Sequence, residues 1–529
     1  MSAVSRPSTP GRSPALAGTA RPVDLGTAGI AVVVILGAIS AGLIAADSVI
    51  LAVAAAGGLA LATAIVLRPD VATLTTLAIL YSNAAVVAVR FHDVPVFVAG
   101  AVPLLLVVPL ARDLIVRRLP VVAPPMLPWM VALLIVHLVS AVFSENVVRS
   151  FDAVVVFAVE GFGLYFLLIN VIRTPGALRQ ATWVLLAAGA FVSILSVHQD
   201  LTDNYGNDYW GFAQAADAAF RTGQTTLVGD VVQRRLAGSI GETNRFAQVM
   251  LMLVPLGIFR YIGEPRLLLR LVAAGMTVVI TLGVVLTFSR GAAVGLGALV
   301  LALAVLRVVR LRHVLLMVLA LGVVLAAFPQ YALRISSIAQ LGALADEDVS
   351  RSEVSGVILS RATETLAAAL VIVDHPVIGV GPDMFPIYYE AYADKVGLLV
   401  KEGATREAHN LYLGVGAEVG IVGLGLFLFV GWQTVSMIRT ARRRSLLRRP
   451  DLETLVTPFA LALLTYYVTG MFLHLSFGRF YWLMLAVAGA AAVVVLREVG
   501  RPDADGDARA GTDADGDAAA DATGARARD

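Results

Sequence analysis

The chain has 529 residues, 58% of them hydrophobic and 15% charged, and a net charge of +2. Its mean hydropathy is +0.83. Soluble domains carry about 25% charged residues, so a water-soluble enzyme and a disordered chain are excluded and a polytopic membrane protein is implied. The small net charge gives no nucleic-acid partner. The absence of cysteine excludes disulfides, thiolate catalysis and Cys-ligated metals.

In chain order, residues 1–24 read as a polar cytoplasmic leader without a cleavage-like site. An N-terminal membrane bundle is expected over 25–197, with spans near 27–46, 49–67, 71–89, 95–111, 126–143, 153–172 and 181–197. A first long loop follows over 198–245, then spans near 246–262, 268–288, 291–309 and 313–328, filling 246–328. A second long loop covers 329–410, and spans near 411–431, 455–473 and 480–496 complete a C-terminal set within 411–497. These stretches lack two-residue alternation, so an all-α transmembrane helix bundle of about 14 spans is predicted rather than a barrel. The runs 49–67 and 95–111 are short enough to be re-entrant. A helix near 353–373, with Val354, Val357, Ile358, Leu366, Leu370 and Val373 apolar, is expected to pack over the bundle as part of a helical extracytoplasmic loop. The acidic tail 498–529 repeats DADGDA at 503 and 513; its glycine comes too early for a calcium loop, and it reads as disordered and cytoplasmic.

Arginine placement orients this bundle in the cell membrane. With both termini cytoplasmic, the inner segments hold 23 arginines and the short outer loops only Arg90, Arg149, Arg290 and Arg479, which is the positive-inside asymmetry. Both long loops then lie outside.

Few residues could carry chemistry. Arg290, in Thr287-Phe-Ser289-Arg290-Gly291, sits between two spans against the charge trend, and Gly291 would let a phosphate approach. The bland reading is a snorkelling arginine that anchors the helix end; a functional anion site is the favoured one. Arg234, Arg235, Asn244 and Arg245 gather before the span at 246, where guanidiniums could grip phosphate bidentately or meet lipid headgroups. His409 and Asn410 precede the span at 411. The histidine could act as a general base or cap that helix. Glu418 lies nine residues on, about 180° around a helix from His409, and is expected to bond a neighbouring helix or backbone. Within the membrane, His137 and Glu160 lie equidistant from a hairpin tip, and a structural hydrogen bond between them is expected. No metal-binding motif is present, and no cofactor is expected.

Taken together, Arg235 and Asn244, Ser289-Arg290-Gly291, Arg361, Pro376-Val-Ile-Gly379-Val-Gly381, and Ala408-His409-Asn410 leading to Glu418-Val-Gly420 resemble the O-antigen ligase / O-antigen polymerase superfamily of bacterial membrane glycosyltransferases. The resemblance covers roughly 230–430. It implies an enzyme that moves a glycan from a polyprenyl-diphosphate carrier to an envelope glycan, lipid or protein acceptor without metal. It assigns catalysis to Arg235, Arg290 and His409, and substrate binding to Asn244, Arg245, Arg361, Gly379, Gly381 and Asn410. Fourteen spans exceed the family's usual twelve, and Arg245 competes with Arg235. Ligase and polymerase both fit. Oligomeric state stays open. A transporter or flippase is the rival class, but it would favour internal repeats and polar residues at mid-membrane, whereas the polar residues here gather in the loops.

Overall fold

A computed structural model of the chain describes residues 49–214, 226–228, 231–233, 235–308, 356–397, 406–473 and 478–501, with single positions at 312, 315, 319 and 322. The leader, the span at 27–46, nearly all of 313–328, Arg234 and the tail beyond 501 lie outside the described residues, as do 329–355 and 398–405 of the second long loop.

The chain forms two units, residues 1–71 and 72–529. In the first, α1 (Val49–Leu67) is apolar throughout. It stops where Arg68 meets Pro69, because a residue before proline is pushed out of the helical region.

Among the described residues, the second unit is helical apart from a hairpin of two three-residue strands, β1 (Thr226–Val228) and β2 (Val231–Gln233), paired antiparallel. Its helices are α2 (Asp70–Tyr81), α3 (Ala84–His92), α4 (Val96–Val116), α5 (Leu127–Val142), α6 (Val147–Val171) and α7 (Pro175–Leu201). There follow α8 (Thr243–Gly263), α9 (Leu267–Val285), α10 (Arg290–Val305), α11 (Gly356–Asp374) and α12 (Phe385–Val396). Last come α13 (Leu411–Arg448), α14 (Pro450–Thr469) and α15 (Arg479–Gly500). Among the described residues, eight helices are long and apolar enough to cross a membrane, or nine if the bent pair α2–α3 is one span. Three further expected stretches coincide with shorter apolar helices, Gly57–Leu67, Leu127–Val142 and Arg290–Val305. These helices point to a multi-pass membrane protein.

The broken span is not one of the two short runs suspected from the sequence. It is 70–92, bent by 59° where Asn83 adopts φ 65°. Asparagine visits this left-handed conformation more readily than most residues, and here its Nδ2 holds a distant segment, donating to Ser239 O at 2.7 Å.

The bundle centres on α15, whose residues from Tyr481 to Ala492 are buried in one unbroken run. A helix apolar on every side suits a position surrounded by neighbours, and α15 contacts α13, α14 and α6. A second, separate core joins α11 to α12 through Ala367, Ala368, Val371, Phe385, Tyr389 and Ala393, with Ala408 and Ala417. The face of α11 that packs is therefore not the expected one. Leu366, Leu370 and Val373 are exposed at 47%, 36% and 71%. The buried alanines admit a closer helix approach than leucines would, as small residues do at helix interfaces.

Helix α13 is broken at Gly420, with φ 72° and ψ −179°, a backbone region open essentially to glycine alone. Into the break docks the loop after α11. Ile421 N donates to Pro376 O, Val380 N to Ala417 O and Gly381 N to Glu418 O, at 2.8, 3.0 and 2.9 Å. These bonds anchor α11 and α12 beside the start of α13, where the candidate histidine lies.

Candidate functional site

The segment 406–410 carries most of the site. Asn410 caps α13: its Oδ1 accepts from Tyr412 N and Leu413 N at 3.0 and 3.1 Å, and its Nδ2 donates to Met471 O at 3.3 Å. The capping role falls to Asn410 and not to His409. His409 instead takes a left-handed conformation, φ 46°, and its ring turns to α11. Its Nδ1 lies 2.9 Å from Glu364 Oε2 and 3.1 Å from Glu407 O. The N–H direction suits the carbonyl, and the carboxylate oxygen sits to its side at ion-pair distance without a linear hydrogen bond.

Glu364 has only 1% of its side chain exposed. Arg406 Nη1 donates to its Oε1 at 2.9 Å, and Ser360 Oγ does so at 3.2 Å. Burial pushes its pKa up, but His409 and Arg406 outweigh that effect and hold the carboxyl below its ordinary value. Tyr389 on α12 sits close by, its hydroxyl pKa raised by burial and by the Glu364 charge.

A second group of contacts surrounds the start of α8. Glu242 caps that helix, accepting from Asn244 N at 3.1 Å and Arg245 N at 2.5 Å. Arg235 Nε donates to Thr287 O at 2.7 Å and its Nη2 to Asn244 Oδ1 at 3.0 Å. Arg245 pairs with Glu407, two residues before His409, which ties the two groups together. Arg290 opens α10 after the Ser289 cap, whose Oγ accepts from Ala292 N at 3.4 Å. Gly291 next to it faces Phe472, the neighbour of the Met471 carbonyl that holds Asn410. Arg235, Asn244, Arg245, Arg290, His409 and Asn410, scattered over 176 positions of sequence, are thus linked by a few contacts.

Other residues singled out from the sequence lie elsewhere in this arrangement. Gly379 and Gly381 form the docking loop. Gly379, φ 68°, lies so near α13 that a Cβ would come within 2.4 Å of Glu418 C. The Glu418 side chain is 2% exposed, and its Oε2 has no hydrogen-bond partner among the described residues; it is the Glu418 backbone carbonyl that bonds, accepting from Gly381 N and Ser140 Oγ. Arg361 stands one turn before Glu364 on α11 and makes no side-chain hydrogen bond or ion pair among the described residues.

The expected His137–Glu160 hydrogen bond gives way to separate partners. His137 Nδ1 bonds Leu133 O at 2.8 Å and its ring stacks on Phe157 at 4.5 Å. Glu160 pairs with Arg479 at 3.4 Å. The cause is a π-helical stretch in α6, Phe157–Gly163. Its wider turns rotate Glu160 away from the position that an α-helical hairpin gives. Arg479 also donates to Asn83 Oδ1, and so braces the bend of α2–α3.

Sequence reasoning missed Glu364, Arg406 and Glu407. A signal for the first was present: Ser360, Glu364, Ala367 and Val371 share one face, so the acid interrupts a small-residue stripe. Nothing comparable marked the other two. Among the described residues, no group of three or more His, Asp or Glu is placed to hold a metal ion.

Residues 275–428 match the family model described as O-Antigen ligase. This supports the O-antigen ligase superfamily and suggests a ligase- or polymerase-type membrane glycosyltransferase. The matched segment spans Arg290, Glu364 and His409 and leaves out Arg235 and Arg245. No curated protein matches the chain.

Proposed function

We propose that the protein is an O-antigen ligase-like glycosyltransferase of the cell membrane. It moves a glycan from a polyprenyl-diphosphate carrier to an envelope glycan, lipid or protein acceptor on the outer face. About fourteen spans would place both termini in the cytoplasm and the loops 198–245 and 329–410 outside. The chain has no native cysteine, so one introduced at position 400 reports this directly; labelling only after permeabilisation would overturn the topology.

The observation that carries the reading is the joining of the arginine segments 235–245 and 287–290 to His409 through Asn244, Glu407 and the Asn410–Met471 contact. In the reaction, the acceptor hydroxyl oxygen attacks the anomeric carbon while the bond from that carbon to the diphosphate oxygen breaks. The leaving electron pair stays on the diphosphate, and the hydroxyl proton passes to His409. One displacement inverts the anomeric configuration. Arg235, held by Thr287 and Asn244, and Arg290, at a helix N-terminus whose dipole favours anions, would meet the developing charge without metal or cofactor. Arg245, tied to Glu407, holds the histidine segment against α8.

The test is transfer from a synthetic polyprenyl-diphosphate glycan, normalised to folded protein. His409→Ala should lower turnover by ~10²–10⁴ with carrier binding little changed, and added chelator should leave wild-type transfer intact. Wild-type turnover in the alanine variant removes His409 from the mechanism; abolition by chelator defeats the metal-free scheme.

A further inference from the structure

Glu364 and His409 come from different helical segments, 45 positions apart, and meet where neither is needed to hold the other's helix. Asn410 already caps α13, and α11 is fixed by its alanine contacts to α12. The Nδ1 atom faces only oxygens, the Glu364 carboxylate and the Glu407 carbonyl. A lone pair on Nδ1 would be repelled by both, so the proton sits there. The lone pair is then left on Nε2, which has no hydrogen-bond partner among the described residues, on a side chain 29% exposed. That is the atom an acceptor hydroxyl can reach. Glu364 is well suited to hold the ring: it is 1% exposed and fixed on its other oxygen by Arg406.

We infer that Glu364 is the positioning residue of the candidate base, fixing the His409 ring with its proton on Nδ1 and stabilising the imidazolium that forms when Nε2 takes the acceptor proton. This deepens the function proposed above and rests on it. A carboxylate behind a catalytic imidazole orients it and selects its tautomer without accepting the proton itself. Its full charge matters most where burial keeps water away.

The alternative is that Glu364 only ties Arg406, and so the segment 406–410, to α11. The two roles predict different pH profiles. Among the described residues, the charged and titratable groups linked to the ring are Glu364 on α11, with Arg406 and Tyr389 beside that carboxylate, and Glu407, with its ion-pair partner Arg245 at the start of α8. Glu364→Gln removes the negative charge at the ring and keeps the side chain's volume. The protonated ring is then less favoured, so the rise of transfer rate with pH should move to lower pH. The plateau should fall by ~10²-fold or more. Arg406→Gln removes the competing cation and leaves the carboxylate, so its midpoint should move to higher pH. A mere tie predicts the same response from both variants, since each breaks the same ion pair.

The experiment measures transfer from the synthetic polyprenyl-diphosphate glycan over pH 5 to 9 for full-length wild type, Glu364→Gln, Arg406→Gln, His409→Ala and the Glu364→Gln/His409→Ala double variant, each normalised to folded protein. Opposite midpoint shifts, unchanged carrier binding and no further loss in the double variant over His409→Ala support the assignment. Wild-type rate and midpoint in Glu364→Gln while His409→Ala is inactive overturn the assignment alone. Parallel shifts in the two single variants also overturn it. Full activity in His409→Ala overturns the base reading, and the assignment with it.

Discussion

The break in α13 is the element whose removal should cost most for the smallest change. Gly420→Ala adds one methyl at φ 72° and ψ −179°. Such a backbone costs a residue with a Cβ about 1–3 kcal/mol. The new carbon would also stand 2.1 Å from Val377 O, where ordinary contact begins near 3.4 Å. The docking loop must then retreat, straining the three backbone hydrogen bonds at 2.8–3.0 Å that hold it, each worth about 1 kcal/mol net. If all three bonds are lost, the sum is about 4–6 kcal/mol. Gly397→Ala provides the control. It too has a left-handed backbone, φ 66°, but nothing lies within 4 Å of its Cβ. Only the conformational cost of about 1–2 kcal/mol remains there, lessened by about 0.4–1 kcal/mol through the stiffer unfolded chain. Thermal unfolding of both variants in one detergent measures the difference directly. Transfer per folded molecule should fall for Gly420→Ala, because the loop carries α11 and α12 and hence the Glu364 partner of His409. Equal melting temperatures for the two variants would refute the argument that the clash, and not the backbone angle alone, makes the glycine necessary.

Arg290→Lys should lose most transfer although charge is kept, since an ammonium cannot present the planar fork that grips a diphosphate; near-normal transfer at equal protein level would remove the clamp. Asn410→Ala should cost about 0.5–2 kcal/mol of stability through the lost cap, with folded protein still active. A loss of turnover larger than the loss of fold would give Asn410 a role beyond the cap. The Glu364 carboxyl is held below its ordinary value in the folded state, so its stabilisation is complete above the unfolded carboxylate pKa and vanishes as pH falls through the lower folded one. The melting-temperature gap between wild type and Glu364→Gln should accordingly close on acidification from pH 6 to 3; a constant gap would show that packing, not charge, makes the difference.

The outcome separates what pattern can reveal from what only packing decides. Apolar length located the membrane-length helices that the structure describes, because a span's hydropathy is a property of its own residues; it gave no sign of α12 or of the continuation of α13 to Arg448. Turn chemistry was partly legible: a cap was expected just before 411, although Asn410 and not His409 provides it, and the glycines singled out at 379 and 420 sit where the docking loop and α13 approach closely, Gly379 against Glu418 and Gly420 against Val377. What failed needed a partner that sequence does not supply. His137 and Glu160 were paired by counting from a hairpin tip, which holds only while both helices keep 3.6 residues per turn; the π-helical stretch at Phe157–Gly163 breaks that condition. The face of α11 was chosen by its larger apolar residues, whereas Leu366 and Val373 stay exposed and the alanines pack. In a chain whose surroundings are themselves apolar, size and hydrophobicity no longer say which side faces in. That same misjudged face hid Glu364. Had the buried stripe been read as Ser360, Glu364, Ala367, Ala368 and Val371, the acid within it would have demanded a cation or an imidazole. Arg406 and His409, both just before α13, are the partners the fold brings to it.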